Sequence, residues 1–144
     1  MKWKLFALLL PWLLMGAFAT YAIIQSLYHI HNSGYIHTIG LEVYKDQECT
    51  QPCTSIDWGT LRPGGTATYV VYAKLLGNTP ATLSMTYGNW TPPEAQNYIT
   101  LSWNYTGNTL NPGDVLPIEF TLSVAETITG VEKFEFYITI IASG

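Results

Sequence analysis

Thr60-Leu61-Arg62-Pro63-Gly64-Gly65-Thr66-Ala67-Thr68-Tyr69-Val70-Val71-Tyr72 reads as a tight turn feeding a strand. Proline holds φ near −65° and the following glycine accepts positive φ, so Pro63-Gly64 fits the centre of a type II turn. The run after the turn is β-branched and aromatic, the composition of a pleated, half-buried strand. The chain repeats this punctuation once. Thr109-Leu110-Asn111-Pro112-Gly113 precedes Val115-Leu116-Pro117-Ile118-Glu119-Phe120-Thr121-Leu122. A turn that recurs ahead of alternating strands is the mark of an antiparallel all-β domain.

Outward from these two units, alternation recurs in both directions. Ile36–Tyr44 places Ile39, Leu41 and Val43 on one face, and Ser55–Trp58 is a short strand ending at Gly59. Ala81, Leu83, Met85 and Tyr87 alternate with Thr82, Ser84 and Thr86. Ile99, Leu101, Trp103 and Tyr105 alternate with Thr100, Ser102 and Asn104, and Phe134, Phe136, Ile138 and Ile140 with Glu135, Tyr137 and Thr139. With Thr66–Lys74 and Leu116–Val124, this predicts seven strands forming a seven-stranded antiparallel immunoglobulin-like sandwich. The final strand is long and apolar, so it is expected to be central or well covered.

Charged residues make up only 11% of the chain and aromatics 14%, a balance that excludes a charge-rich disordered polymer. The net charge of −4 includes Lys2 and Lys4, so without them the remainder carries −6. That sign counts against nucleic acid as a partner.

Lys2 and Lys4 flank an apolar run, and no Asp, Glu, Lys or Arg comes after it until Glu42. Leu5–Ile24 is long enough to cross a bilayer as one N-terminal hydrophobic helix. The flanking lysines orient it N-in, with the rest outside the cell. Ala17-Phe18-Ala19 competes as a signal-peptidase site, with cleavage after Ala19. The expected organisation is therefore a transmembrane anchor or signal segment over 1–33 and an extracellular β-sandwich over 34–144.

From Ile39 to Ser143 the chain resembles a β-sandwich domain of predicted archaeal surface proteins. The resemblance is carried by Ser55-Ile56-Asp57-Trp58-Gly59-Thr60-Leu61, Gly77-Asn78-Thr79-Pro80-Ala81-Thr82-Leu83-Ser84, Asn89-Trp90-Thr91-Pro92-Pro93, Tyr98–Tyr105 and Leu110-Asn111-Pro112-Gly113. More distantly it is similar to cell-surface modules of the CARDB and alpha-galactosidase-associated type. The resemblance implies a fold and a setting, and no catalytic residues.

Residues able to carry chemistry are sparse. Cys49 and Cys53 are the two cysteines, and Gln51-Pro52 between them supplies a bend. Outside the cell the expectation is a short disulfide loop, with free thiols or a metal as alternatives. His29, His31 and His37 have no acidic residue nearby before Glu42, and the carboxylates are scattered singly, so neither a metal centre nor a catalytic pair is expected. Asp57 is expected to cap the Gly59-Thr60 turn. Trp90, read as a loop residue, is the candidate exposed aromatic for a sugar. Asn89 and Asn104 open N-x-Thr triplets and are candidate glycosylation sites.

These features lead to the expectation of a non-enzymatic, membrane-anchored extracellular module with a structural or protein-interaction role, with surface proteins or glycans as partners and no cofactor. A pilus-like filament subunit and a secreted carbohydrate-binding module are the alternatives. In the filament reading, cleavage after Ala19 frees Thr20–His31 to pair with a neighbour's sheet edge.

Overall fold

The computed structural model describes residues 31 and 33–144. The chain divides into Met1–Tyr35 and Ile36–Gly144. The expected hydrophobic helix, its span and the Ala19 site lie outside the described residues. All the strands among the described residues lie in the second unit.

Among the described residues six strands form: β1 Ile39–Tyr44, β2 Thr66–Gly77, β3 Thr82–Thr91, β4 Ile99–Trp103, β5 Val115–Val124 and β6 Glu135–Ser143. They make a four-stranded sheet ordered β1-β2-β5-β4 and a two-stranded sheet of β3 and β6. Every pairing is antiparallel. The segment Ser55–Trp58, expected as a strand, has no regular structure and joins no ladder; Ile56 and Trp58 pack against the core instead.

Both Pro-Gly turns close as their chemistry dictates. Gly65 N donates to Arg62 O at 2.9 Å around Pro63-Gly64, and Asp114 N donates to Asn111 O at 2.9 Å around Pro112-Gly113. Gly64 and Gly113 sit at φ +75° and +87°, where a Cβ would be strained. The strands launched by these turns, β2 and β5, pair directly, from Thr66 opposite Ser123 to Lys74 opposite Val115. They are the two inner strands of the larger sheet.

The core gathers on this pair. Val71, Ala73 and Leu75 of β2 and Ile118, Phe120 and Leu122 of β5 are all at most 1% exposed. Burying each of the larger ones contributes about 1.5–3 kcal/mol. Leu83 of β3 joins the same cluster, with Met85, Phe136, Ile138 and Ile140 packed against it, so the two sheets share one core in a sandwich-like arrangement. Between β3 and β4, a 3-10 turn over Pro93–Asn97 buries Ala95.

The expectation that the last strand is central or well covered is not met. β6 pairs with β3 on one side, and among the described residues no backbone hydrogen bond joins its other side to any segment. With four strands gathered in the first sheet, the second has only two, and both are necessarily edges.

Candidate functional site

The open edges differ in how they are covered. Beyond β1, Cys53 N donates to Val43 O and Lys45 N to Gln51 O, both at 2.8 Å. Beyond β3, Ala81 and Leu110 exchange backbone bonds, and Leu83 N donates to the Tyr105 hydroxyl at 3.0 Å. β4 is a short edge of five residues with Thr100 and Ser102 facing outward. β6 is nine residues long, and from Phe136 to Gly144 it has no charged side chain. Proteins usually blunt such an edge with charge, proline or a covering segment. On β6 only Glu135, its first residue, supplies such a charge; from Phe136 onward the free side has none of these.

Beside that edge runs an apolar groove of about 470 Å³. Leu41 and Val43 of β1 form one bank, and Phe136, Ile138 and Ile140 of β6 form the other. Val71 and Phe120 of the core lie at its floor, and Ile56 with Trp58 closes one end. The two banks run antiparallel: a Cβ placed on Gly144 would lie 2.9 Å from Ile39 Cδ1, so the end of β6 meets the start of β1. The inward residues of β6, Phe136 through Ala142, are only half-buried, whereas Ile118, Phe120, Leu122 and Val124 on β5 are almost wholly covered. The groove is what leaves them half-covered.

A second cleft, of about 590 Å³, opens between Ile56–Pro63 and Ile128–Phe134. Its charged residues are already engaged or solvated. The Asp57 carboxylate accepts from Gly59 N at 2.9 Å, the expected turn cap. Lys133 lies 3.4 Å from Glu135 at the surface.

Trp90 is not a loop residue. It is the penultimate residue of β3, half-buried, with its ring stacked on Phe136 at 4.4 Å and 16°. Tyr87 and Phe134 flank the same ring at 6.3 Å each. One face of the indole is therefore occupied by protein, and the residue pins β3 to β6. Gly88, Asn89 and the prolines after Thr91 made this stretch read as a loop; the strand instead continues through a register shift between Gly88 and Thr91.

The Cys49–Cys53 disulfide is not formed. Both cysteines are free; the Cys49 thiol donates to Gln47 O at 3.6 Å and the Cys53 thiol to Ser55 O at 3.7 Å. The bend is closed by Asp46, whose carboxylate accepts from Thr50 N at 3.0 Å and Gln51 N at 2.8 Å. The Thr50 hydroxyl, followed by these amides, holds the Asp46 carboxyl below its ordinary range. Burial pushes the Cys53 thiol upward. Nearby, the Tyr44 hydroxyl donates to Glu42, whose carboxylate raises the phenol to about 12.

Asn89 is exposed in the left-handed region at φ +55°, at the β3 irregularity. Asn104 is exposed but extends the β4–β5 ladder: its N donates to Glu119 O, and its side-chain oxygen accepts from Glu119 N at 2.9 Å. His37 Nδ1 lies 3.2 Å from the Thr79 hydroxyl, and among the described residues no three metal-ligating side chains converge. No helix among the described residues is long and apolar enough to cross a membrane.

No family model, curated protein or solved structure matches the chain.

Proposed function

We propose that this protein is a non-enzymatic extracellular module of the cell surface that binds other protein segments by strand addition at β6. The observation that carries this reading is the unpaired β6 edge, uncharged beyond Glu135, beside an apolar groove. An extended segment laid there gains backbone hydrogen bonds from the edge and side-chain burial from the groove. The arrangement offers a long strip and no convergent polar groups, which favours recognition of a chain over turnover of a small molecule.

The strand order supports an immunoglobulin-like reading of the fold. In that scheme one sheet runs A-B-E-D and the other C-F-G. Lettering the strands in chain order, β1-β2-β5-β4 matches A-B-E-D and β3-β6 matches C-F. The position beside F falls at the groove. The apolar Leu5–Ile24 run, with lysines before it and none close behind, supports membrane targeting with the sandwich outside, as in the archaeal surface domains it resembles.

Protease added to intact cells should digest the 36–144 unit; carbonate washing separates an uncleaved anchor, which stays in the membrane fraction, from a chain cut after Ala19, which is released. A sandwich protected from external protease would overturn the surface assignment. The binding role is tested by amide exchange along β6, which should be slower in native envelopes than in purified monomer. Equal exchange in both would remove it.

The open edge also favours the filament-subunit reading over the sugar-binding one, because a subunit must receive something from its neighbour. Trp90, the one candidate sugar platform, has its face against Phe136.

A further inference from the structure

We propose that the strand received at β6 is Thr20–His31 of a second copy of this chain, added antiparallel, so that copies link head to tail. This assignment rests on the filament-subunit reading and names its donor.

Chemical fit favours this donor. Thr20-Tyr21-Ala22-Ile23-Ile24-Gln25-Ser26-Leu27-Tyr28-His29-Ile30-His31 contains no Asp, Glu, Lys, Arg, Pro or Gly. Laid out as a strand, Ala22, Ile24, Tyr28 and Ile30 share one face and Tyr21, Ile23 and Leu27 the other. Either face can enter a groove whose banks are Leu41, Val43, Phe136, Ile138 and Ile140. Its twelve residues cover the nine of β6 with a margin at the ends.

The sequence also provides for the donor's release. Hydrolysis of the Ala19–Thr20 peptide bond by water at the Ala17-Phe18-Ala19 signal site leaves Thr20 as a free amino terminus. The segment then becomes an N-terminal arm instead of the end of a membrane anchor.

Reach favours a neighbour over the same chain. Ile36 and Thr38 are fastened to the β2–β3 turn: Asn78 Nδ2 donates to Ile36 O at 3.0 Å, and Thr38 N donates to Asn78 Oδ1 at 2.9 Å. That turn is also where β6 ends, because a Cβ on Gly144 would lie 2.6 Å from Pro80 O. An antiparallel arm in full register must finish at the opposite end of β6, near Glu135. The nine residues of β6 span about 27 Å. From His31 to Ile36 the chain has five Cα steps, at most about 17 Å. An arm with His31 beside Glu135 cannot lie antiparallel on its own β6, and one paired over Thr20–Tyr28 alone would need all eight Cα steps from Tyr28 to Ile36, about 28 Å, fully stretched. A parallel arm reaches more easily but is the weaker pairing. A neighbour's arm carries no such restriction, and donation from one copy to the next is heterologous, which propagates rather than closes as a dimer.

The test uses the full chain, exported by cells so that the N-terminus is processed. A photo-reactive residue replaces Leu27, and two differently tagged copies are co-expressed. Irradiation should give a ladder of covalent oligomers carrying both tags, with peptides joining position 27 to the Phe136–Ile140 stretch or to Leu41–Val43. The double variant Ile23→Asp/Ile24→Asp puts a carboxylate into the groove whichever face is inward, and should abolish the ladder. Free peptide of sequence Thr20–His31 added in excess should reduce it about tenfold by mass action, and a scrambled peptide should not. Cross-links confined to one chain, or oligomers that form without joining position 27 to the groove, would overturn the arm as donor while leaving assembly standing. A chain that stays monomeric, with Thr20–His31 cross-linked to lipid, would overturn the subunit reading itself.

Discussion

β5 and β6 have nearly the same pattern and opposite fates. Leu116, Ile118, Phe120, Leu122 and Val124 alternate inward along one, and Phe136, Ile138, Ile140 and Ala142 along the other. Yet β5 buries Ile118, Phe120 and Leu122 to 1% or less, and no residue of β6 is fully buried. β5 has β2 on one side and β4 on the other, whereas β6 has only β3. Alternation settles which face of a strand points inward. The number of neighbours settles how much water that face still sees.

The largest expected effect is on the β5 side. Phe120→Ala removes a wholly buried ring and should cost about 3–5 kcal/mol, read as a drop in denaturation midpoint. Ile138→Ala on β6 should cost about 1–2 kcal/mol, because its face is already half in water and the cavity can drain. Equal losses at the two positions would mean that β6 is covered in solution. Amide exchange sharpens the same contrast: β5 should exchange only through global unfolding, and the free side of β6 through local opening in the purified monomer.

Smaller effects are expected at the 46–53 bend. Titration of the unreduced protein should find two thiols per chain, with Cys53 reacting more slowly than Cys49 because burial raises its thiol. Asp46 has a folded-state carboxyl held below its unfolded value. Its contribution to holding the bend is therefore present above the unfolded value and lost as pH falls through the folded one. The amide signals of Thr50 and Gln51 should move together only as pH falls below the ordinary carboxylate value of about 3.9, and Asp46→Ala should move them at every pH. The bend is at the surface, so the β5–β6 contrast should be unaffected.

How much was legible depended on residue type. The turns at Pro63-Gly64 and Pro112-Gly113 were, since only that pair meets their backbone demands. The inward faces of β4 and β6 were as well, because a period of two is written directly into the residues. Trp90 was misread because Gly88, Asn89 and Pro92 are loop residues statistically, while the stacking on Phe136 that holds them in a strand comes from far along the chain. Ser55–Trp58 has strand-like residues, but the outer side of β1 is paired at Val43 with Cys53, and the rest of the segment finds no ladder. The cysteine pair was legible as a bend, and its closure by Asp46 in place of sulfur was not.

What the sequence determined by itself is the class of the domain, its turns, the inward residue of each strand and the uncharged stretch before Glu42, all of them local properties. Tertiary structure alone decided that β2 and β5 would be neighbours, that the strands would divide four and two, and that β6 would end as an edge beside a groove. The reason is physical. A strand's faces are set by its own residues, but its hydrogen-bonding edges are the same peptide groups in every strand, so nothing in the residues of β6 says how many partners it will have.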